Sequence, residues 1–207
     1  MIVVAITLIV AAVAVPQVLN GMRMLRLRSS ATSIAGLIQQ TRQRSVRDNR
    51  NYAMLSGFFN GRPNLPMAYI DLNNSGGYNP GEPMVLLNDR IVLDNGAPSF
   101  AALNNLVTPP PSQMDFLPTS GTQTNPPTFN PRGWPCFPAG VGGGGAFGIQ
   151  TCPTNRPGGP AFPVGYVYFL RSTVLPLGGW AAVTVSPGGR IKTWACNSGQ
   201  ANQCNWR

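Results

Sequence analysis

The chain has 207 residues, 24 of them Gly and 21 Pro, with only 10% charged. Low charge with this much Gly and Pro speaks against a helical bundle and for strands joined by long ordered loops, and the length fits one domain with an appendage. There is no histidine, which removes the commonest general base, the commonest metal ligand and the Ser-His and Cys-His nucleophile pairs. The carboxylates Asp48, Asp71, Glu82, Asp89, Asp94 and Asp115 are scattered and form no obvious acid–base pair, so the expectation is a protein that is not an enzyme. The net charge of +9 is uneven: residues 1–50 hold seven Arg and one Asp.

The opening residues, MIVVAITLIVAAVAV, have Thr7 as their single polar side chain. A helix of that length spans about 22 Å, less than the roughly 30 Å hydrocarbon core of a bilayer. A secretory signal peptide is the competing reading, because AVAVP offers small residues near a cleavage point. Against it, no basic residue precedes the run, and a helical pattern continues beyond it. Val18, Met22, Leu25, Leu27, Ala31, Ile34 and Ile38 follow at steps of mostly three and four, one face of a helix. Arg23, Arg26, Arg42, Arg44 and Arg47 mostly take the other positions. The expectation is one helix over residues 1–50, apolar over 1–15 and amphipathic over 16–50, with Pro16 and Gly21 as its weak points.

Beyond it, Tyr52–Phe59, Met67–Asp71, Met84–Leu87 and Arg90–Leu93 read as strands, as do the alternating runs in GYVYFLRSTVLPLGGWAAVTVSPGGRIKTWAC. The fold class is α+β, a long helix packed on an antiparallel β-sheet or β-sandwich domain over residues 51–207. Residues 95–163 hold 14 of the prolines and few charges and read as a long, mostly irregular insertion. Its aromatics Phe129, Trp134, Phe137, Phe147 and Phe162 favour packing; disorder is the alternative.

DLNNSGGYNPGE, residues 71–82, has oxygen side chains at positions 1, 3, 5, 9 and 12 and glycine at 6, close to a calcium loop. Asp71, Asn73, Ser75, the Gly77 carbonyl, Asn79 and Glu82 are the candidate calcium ligands. Only two are charged, so binding would be weak. The competing reading is a polar hairpin turn with Asn and Gly at the positive-φ positions.

Cys136, Cys152, Cys196 and Cys204 allow three pairings. The sequential one, Cys136–Cys152 and Cys196–Cys204, staples two local loops poor in core residues. Free thiols or a zinc site are the alternatives, with neither Cys-x-x-Cys nor histidine to support zinc. Disulfides imply the periplasm, the cell surface or the exterior.

MIVVAITLIVAAVAVPQ resembles the N-terminal helix of type IV pilins and of the pseudopilins of type II secretion, whose apolar segment ends at a helix proline, here Pro16. In that family a basic leader, a cleavage site and several residues including a glutamate come first. The sequence here starts inside the apolar helix, as a truncated chain or a late start would. GLIQQTRQRSVRDNRNYAMLSGF (36–58) and the closing strands resemble the GspH/FimT-like branch. The resemblance implies a structural filament subunit without a cofactor. It also implies that Ile2, Val3, Ile6, Ile9, Val10, Val13 and Pro16 form the assembly surface, in the inner membrane first and then against the same or related pilin subunits. The globular domain would be periplasmic before it reaches a pilus, a pseudopilus or the cell surface. Some FimT-like minor pilins bind DNA for uptake through a basic stretch near the C-terminus. Gly189-Arg190-Ile191-Lys192 is a near match, so Arg190 and Lys192 are the candidate DNA-binding residues of that alternative; a solvated strand face is the bland reading.

Overall fold

The computed structural model describes residues 2–62, 65–88, 90–93, 112–113, 126–136, 165–175, 179–196 and 206–207. A helix, α1 (Ile2–Asp48), leads into β1 (Tyr52–Phe58), a 3₁₀ turn (Phe59–Gly61), β2 (Pro66–Asp71), β3 (Met84–Leu86) and β4 (Ile91–Leu93). The short strands β5 (Ser112–Gln113), β6 (Thr128–Phe129) and β7 (Pro135–Cys136) follow, then β8 (Tyr166–Ser172), β9 (Trp180–Val185) and β10 (Ile191–Ala195). One sheet has the order β3-β2-β1-β6-β7; the other runs β10-β9-β8-β4, with β5 parallel to β8 at its side. All other strand pairs are antiparallel. The class is α+β, with the helix packed on antiparallel sheets.

Alternation decides which side chains meet the helix. From the first sheet come Tyr52, Met54, Ala68 and Ile70; from the second, Tyr166, Tyr168, Leu170, Ala181, Val183 and Val185. Both sets close on Leu27, Ala31, Ile34, Leu37 and Ile38 of α1 in one core. Two polar residues on this helix face, Thr41 and Ser45, are fully buried, and their hydroxyls donate to Leu37 O (2.8 Å) and Thr41 O (3.0 Å). Each is thus satisfied by its own helix, as burial requires.

The helix stops at Asn49, which takes φ +51°, while Arg50 N donates to Ser45 O at 3.1 Å. That six-to-one bond around a left-handed residue is a Schellman cap. α1 is a single helix through Pro16 and Gly21.

The described residues of the insertion contain three short strands. β6 and β7 extend the first sheet: Tyr52 pairs with Phe129, and Thr128 with Cys136. Phe129 is fully buried, so that aromatic does pack. Phe137, Phe147 and Phe162 lie outside the described residues.

Candidate functional site

Three regions carry the residues that the sequence singles out. The first is the N-terminal half of α1. Val3, Val10, Val15, Val18, Leu19, Met22 and Leu25 are 42–72% exposed, and among the helix side chains described the first fully buried is Leu27. Pro16 is exposed as well; the side chains of Ile2, Ile6, Ile9 and Val13 lie outside the description. Covering a Val or Leu side chain is worth roughly 1.5–3 kcal/mol, so an uncovered apolar row of this length marks an interface. Among the described residues, no helix is long and apolar enough to cross a membrane.

The second region is the loop 71–82, between β2 and β3. It draws the six predicted ligands together, but around a different centre. Asp71, fully buried, accepts from Ser75 N (3.0 Å) and Gly76 N (2.9 Å). Glu82, 8% exposed, accepts from Leu72 N and Asn79 N, each at 2.9 Å. Each oxygen of both carboxylates therefore already serves a backbone amide. The other oxygens gather on Asn79 Nδ2, which donates to Ser75 Oγ (2.6 Å), Gly77 O (3.0 Å) and Asn73 Oδ1 (3.4 Å). The Asn79 amide is the donor that these three oxygens share. Among the described residues no group of three acidic, Cys or His side chains converges on one point. Asn74 (φ +57°), Gly76 (φ +76°) and Gly81 (φ +99°) supply the positive-φ positions of a turn. This geometry supports the hairpin-turn reading of the loop.

That turn has a packing role. Tyr69 OH donates to Gly76 O at 3.3 Å, and the Tyr78 ring stands edge-on to Tyr69 (5.7 Å) and tilted against Phe59 (6.2 Å). The loop thereby folds back on the first sheet's outer face, where Ala53, Leu55, Met67 and Tyr69 form a second cluster. Burial first, then the charges of Asp71 and Glu82, push the Tyr69 phenol well above its usual range.

The third region is the turn between β9 and β10 and the strand after it. Arg190 and Lys192 are exposed, and the Lys192 ammonium lies 3.6 Å above the Trp194 ring. Arg171 stacks likewise over Trp180, at 5.8 Å. These tryptophans belong to an outer-face cluster with Val167, Phe169, Ala182, Cys196 and Trp206.

Sequence reasoning missed Arg42. It was assigned with the arginines of the polar helix face, yet it is half-buried beside Thr41 and Ser45. Its Nε donates to Gly133 O (2.9 Å) in the β6–β7 turn and its Nη1 to Gly189 O (3.0 Å) in the β9–β10 turn. One guanidinium thus ties the helix to both sheets. Both glycines have positive φ, +75° and +77°. A Cβ on Gly189 would stand 2.9 Å from Arg42 Cζ, and one on Gly133 3.0 Å from Val46 Cγ2. The Gly of PRGW and of PGGR is the signal that could have found this: each is a turn glycine followed by a strand. Gly189, read as part of a basic DNA-binding motif, has its carbonyl committed to the helix.

Cys136 and Cys196 are both disulfide-bonded and fully buried; Cys152 and Cys204 lie outside the described residues. The bridge between Cys196 and Trp206, with Ala195 and Arg207 exchanging backbone bonds at 2.9 and 3.1 Å, closes a loop whose sequence contains Cys204. Neither a protein-family model, nor a curated protein, nor a solved structure matches this chain.

Proposed function

We propose that the chain is a structural subunit of a type IV pilus or a type II secretion pseudopilus, a pilin-like fold of the GspH/FimT-like branch. Before assembly, residues 1–15 sit in the inner membrane and hold the β-rich domain on the periplasmic side. In the filament, Val3, Val10 and their neighbours pack against the same segment of identical or related subunits. The observation that carries this reading is the change along α1: the described apolar side chains from Val3 to Met22 are exposed, whereas Leu27, Ala31, Ile34, Leu37 and Ile38 are buried in the core. A monomer gains nothing from such a row in water; a lipid or helical partner covers it. The oxidised Cys136 and Cys196 suit an extracytoplasmic domain. Removing residues 1–22 tests the reading: a soluble, monomeric, folded domain is expected, and a domain that unfolds or still assembles contradicts it.

A second reading, DNA binding for uptake by a FimT-like minor pilin, is favoured by the exposure of Arg190 and Lys192. If it holds, Arg190→Ala with Lys192→Ala lowers DNA affinity and flattens its salt dependence by a slope of about two. Unchanged binding removes that reading and leaves the structural one standing.

A further inference from the structure

Asn73 opens the chain's only Asn-x-Ser or Asn-x-Thr triplet, Asn73-Asn74-Ser75. That spacing marks the acceptor of N-linked glycans on surface loops of exported proteins. The triplet alone is a weak signal; the loop's wiring sharpens it. The three asparagines of loop 71–82 use their amides differently. Asn79 spends Nδ2 on three acceptors, so a sugar there would dismantle the turn. Asn74 is half-buried, with its Oδ1 fully shielded. Asn73 is exposed and engages through its oxygen alone, accepting from Ser75 N (3.1 Å) and Asn79 Nδ2 (3.4 Å). The orientation of its amide is fixed by the Ser75 N–H, which can face only an oxygen. Among the described residues its Nδ2 donates to none, so a substituent on that nitrogen costs the loop none of the bonds described.

We propose that Asn73 is an N-glycosylation site, its nitrogen taking a saccharide from a polyisoprenyl-phosphate or polyisoprenyl-pyrophosphate donor. In the transfer, a bond forms between Asn73 Nδ2 and the sugar C1. The bond from C1 to the donor phosphate oxygen breaks, the lipid phosphate leaves with the electron pair, and one amide proton passes to a base. No oxidant or reductant is needed. Ser75 Oγ, whose position in the triplet the transferase reads, is held in the closed loop by Gly77 O (2.8 Å) and Asn79 Nδ2 (2.6 Å). Transfer therefore precedes loop closure, and the glycosylated loop closes as the bare one does. The glycan then stands on loop 71–82, whose Tyr78 packs against Phe59 and Tyr69 at the outer face of the first sheet.

The proposal rests on the extracytoplasmic location argued above, and the test reads both. The full chain is purified from its native cells and its thiols are blocked before digestion. Mass spectrometry then examines the tryptic peptide that ends at Arg90. A saccharide mass on Asn73 is expected. It should vanish in Asn73→Gln and in Ser75→Ala, persist in Ser75→Thr, and leave the melting temperature of Ser75→Thr unchanged. Bare Asn73 in a sample whose Cys136 and Cys196 are oxidised overturns the glycan site and leaves the location intact. Free, blockable thiols at both cysteines remove the location, and the proposal with it.

Discussion

The two halves of α1 share a backbone and differ in everything else. From Leu27 to Ser45 the helix is amphipathic and its buried residues meet both sheets; from Val3 to Met22 its described apolar side chains face outward. Where polar residues define a second face, burial of the first is settled within the monomer. Where the run is apolar on all sides, no domain can bury it by packing one face, and the partner must come from outside. The contrast teaches that one element carries both the core of the fold and, on the reading proposed above, the means of assembly. The division between them falls between Met22 and Leu27, well beyond Pro16.

Mutations can break this division from the buried side. Ile38 is fully buried between the sheets, and Ile38→Ala should cost about 2–5 kcal/mol, seen as a large drop in the melting temperature of the truncated domain. Arg42→Lys should follow, at about 1.5–3 kcal/mol for a lost charge-assisted bond, because an ammonium cannot reproduce the planar fork that serves Gly133 O and Gly189 O together. Gly189→Ala should cost about 1–2 kcal/mol for the left-handed backbone, and more through its approach to Arg42. If that substitution is harmless, the guanidinium does not bind where described.

The polar loop offers a smaller effect that tests its wiring. With Asn79 Nδ2 at its centre, millimolar calcium should leave the melting temperature unchanged. Glu82→Gln should lower it by about 1–2 kcal/mol of lost carboxylate-to-amide bonding. A calcium-dependent rise that disappears in Asp71→Ala with Glu82→Ala would show that a cation displaces the amide. The smallest effect belongs to Asp48. The Arg47 guanidinium bonded to it, at 2.7 Å, is the main cause holding its carboxyl below the ordinary value of 3.8, with a lesser contribution from the Tyr52 hydroxyl at 3.2 Å. A depressed folded-state value stabilises the protein above pH 3.8 and loses that contribution as pH falls through the lowered value. The pair is exposed, so Asp48→Asn should flatten acid unfolding only slightly.

Much of the fold was legible because periodicity reports burial directly. The helix face Leu27, Ala31, Ile34 and Ile38 and the alternation through Tyr166–Leu170 are core in the structure, as patterned. Strand ends moved by one residue: Pro66 joins β2, and Phe59 enters a 3₁₀ turn. β6 and β7 were hidden because strands of two residues leave no alternation to read. The Arg42 clamp was hidden because its partners are backbone carbonyls, which the sequence marks only through the turn glycines of PRGW and PGGR, and because an arginine beside a core face looks the same whether solvated or bound. In the loop, spacing left a weak calcium site and a polar turn both open; the structure bonds the same oxygens to amides, a feature of orientation rather than of residue type.

The central claim is that the exposed half of α1 packs in an assembly and adds nothing to the folded domain. Val10→Asp tests it most directly, since Val10 is 61% exposed and a carboxylate there is harmless in water but costly in lipid or among helices. Filament incorporation and membrane retention are measured beside the melting temperature of the full chain. The account predicts that incorporation and retention are lost while the melting temperature stays at the parent value. A variant that assembles as well as the parent would contradict it.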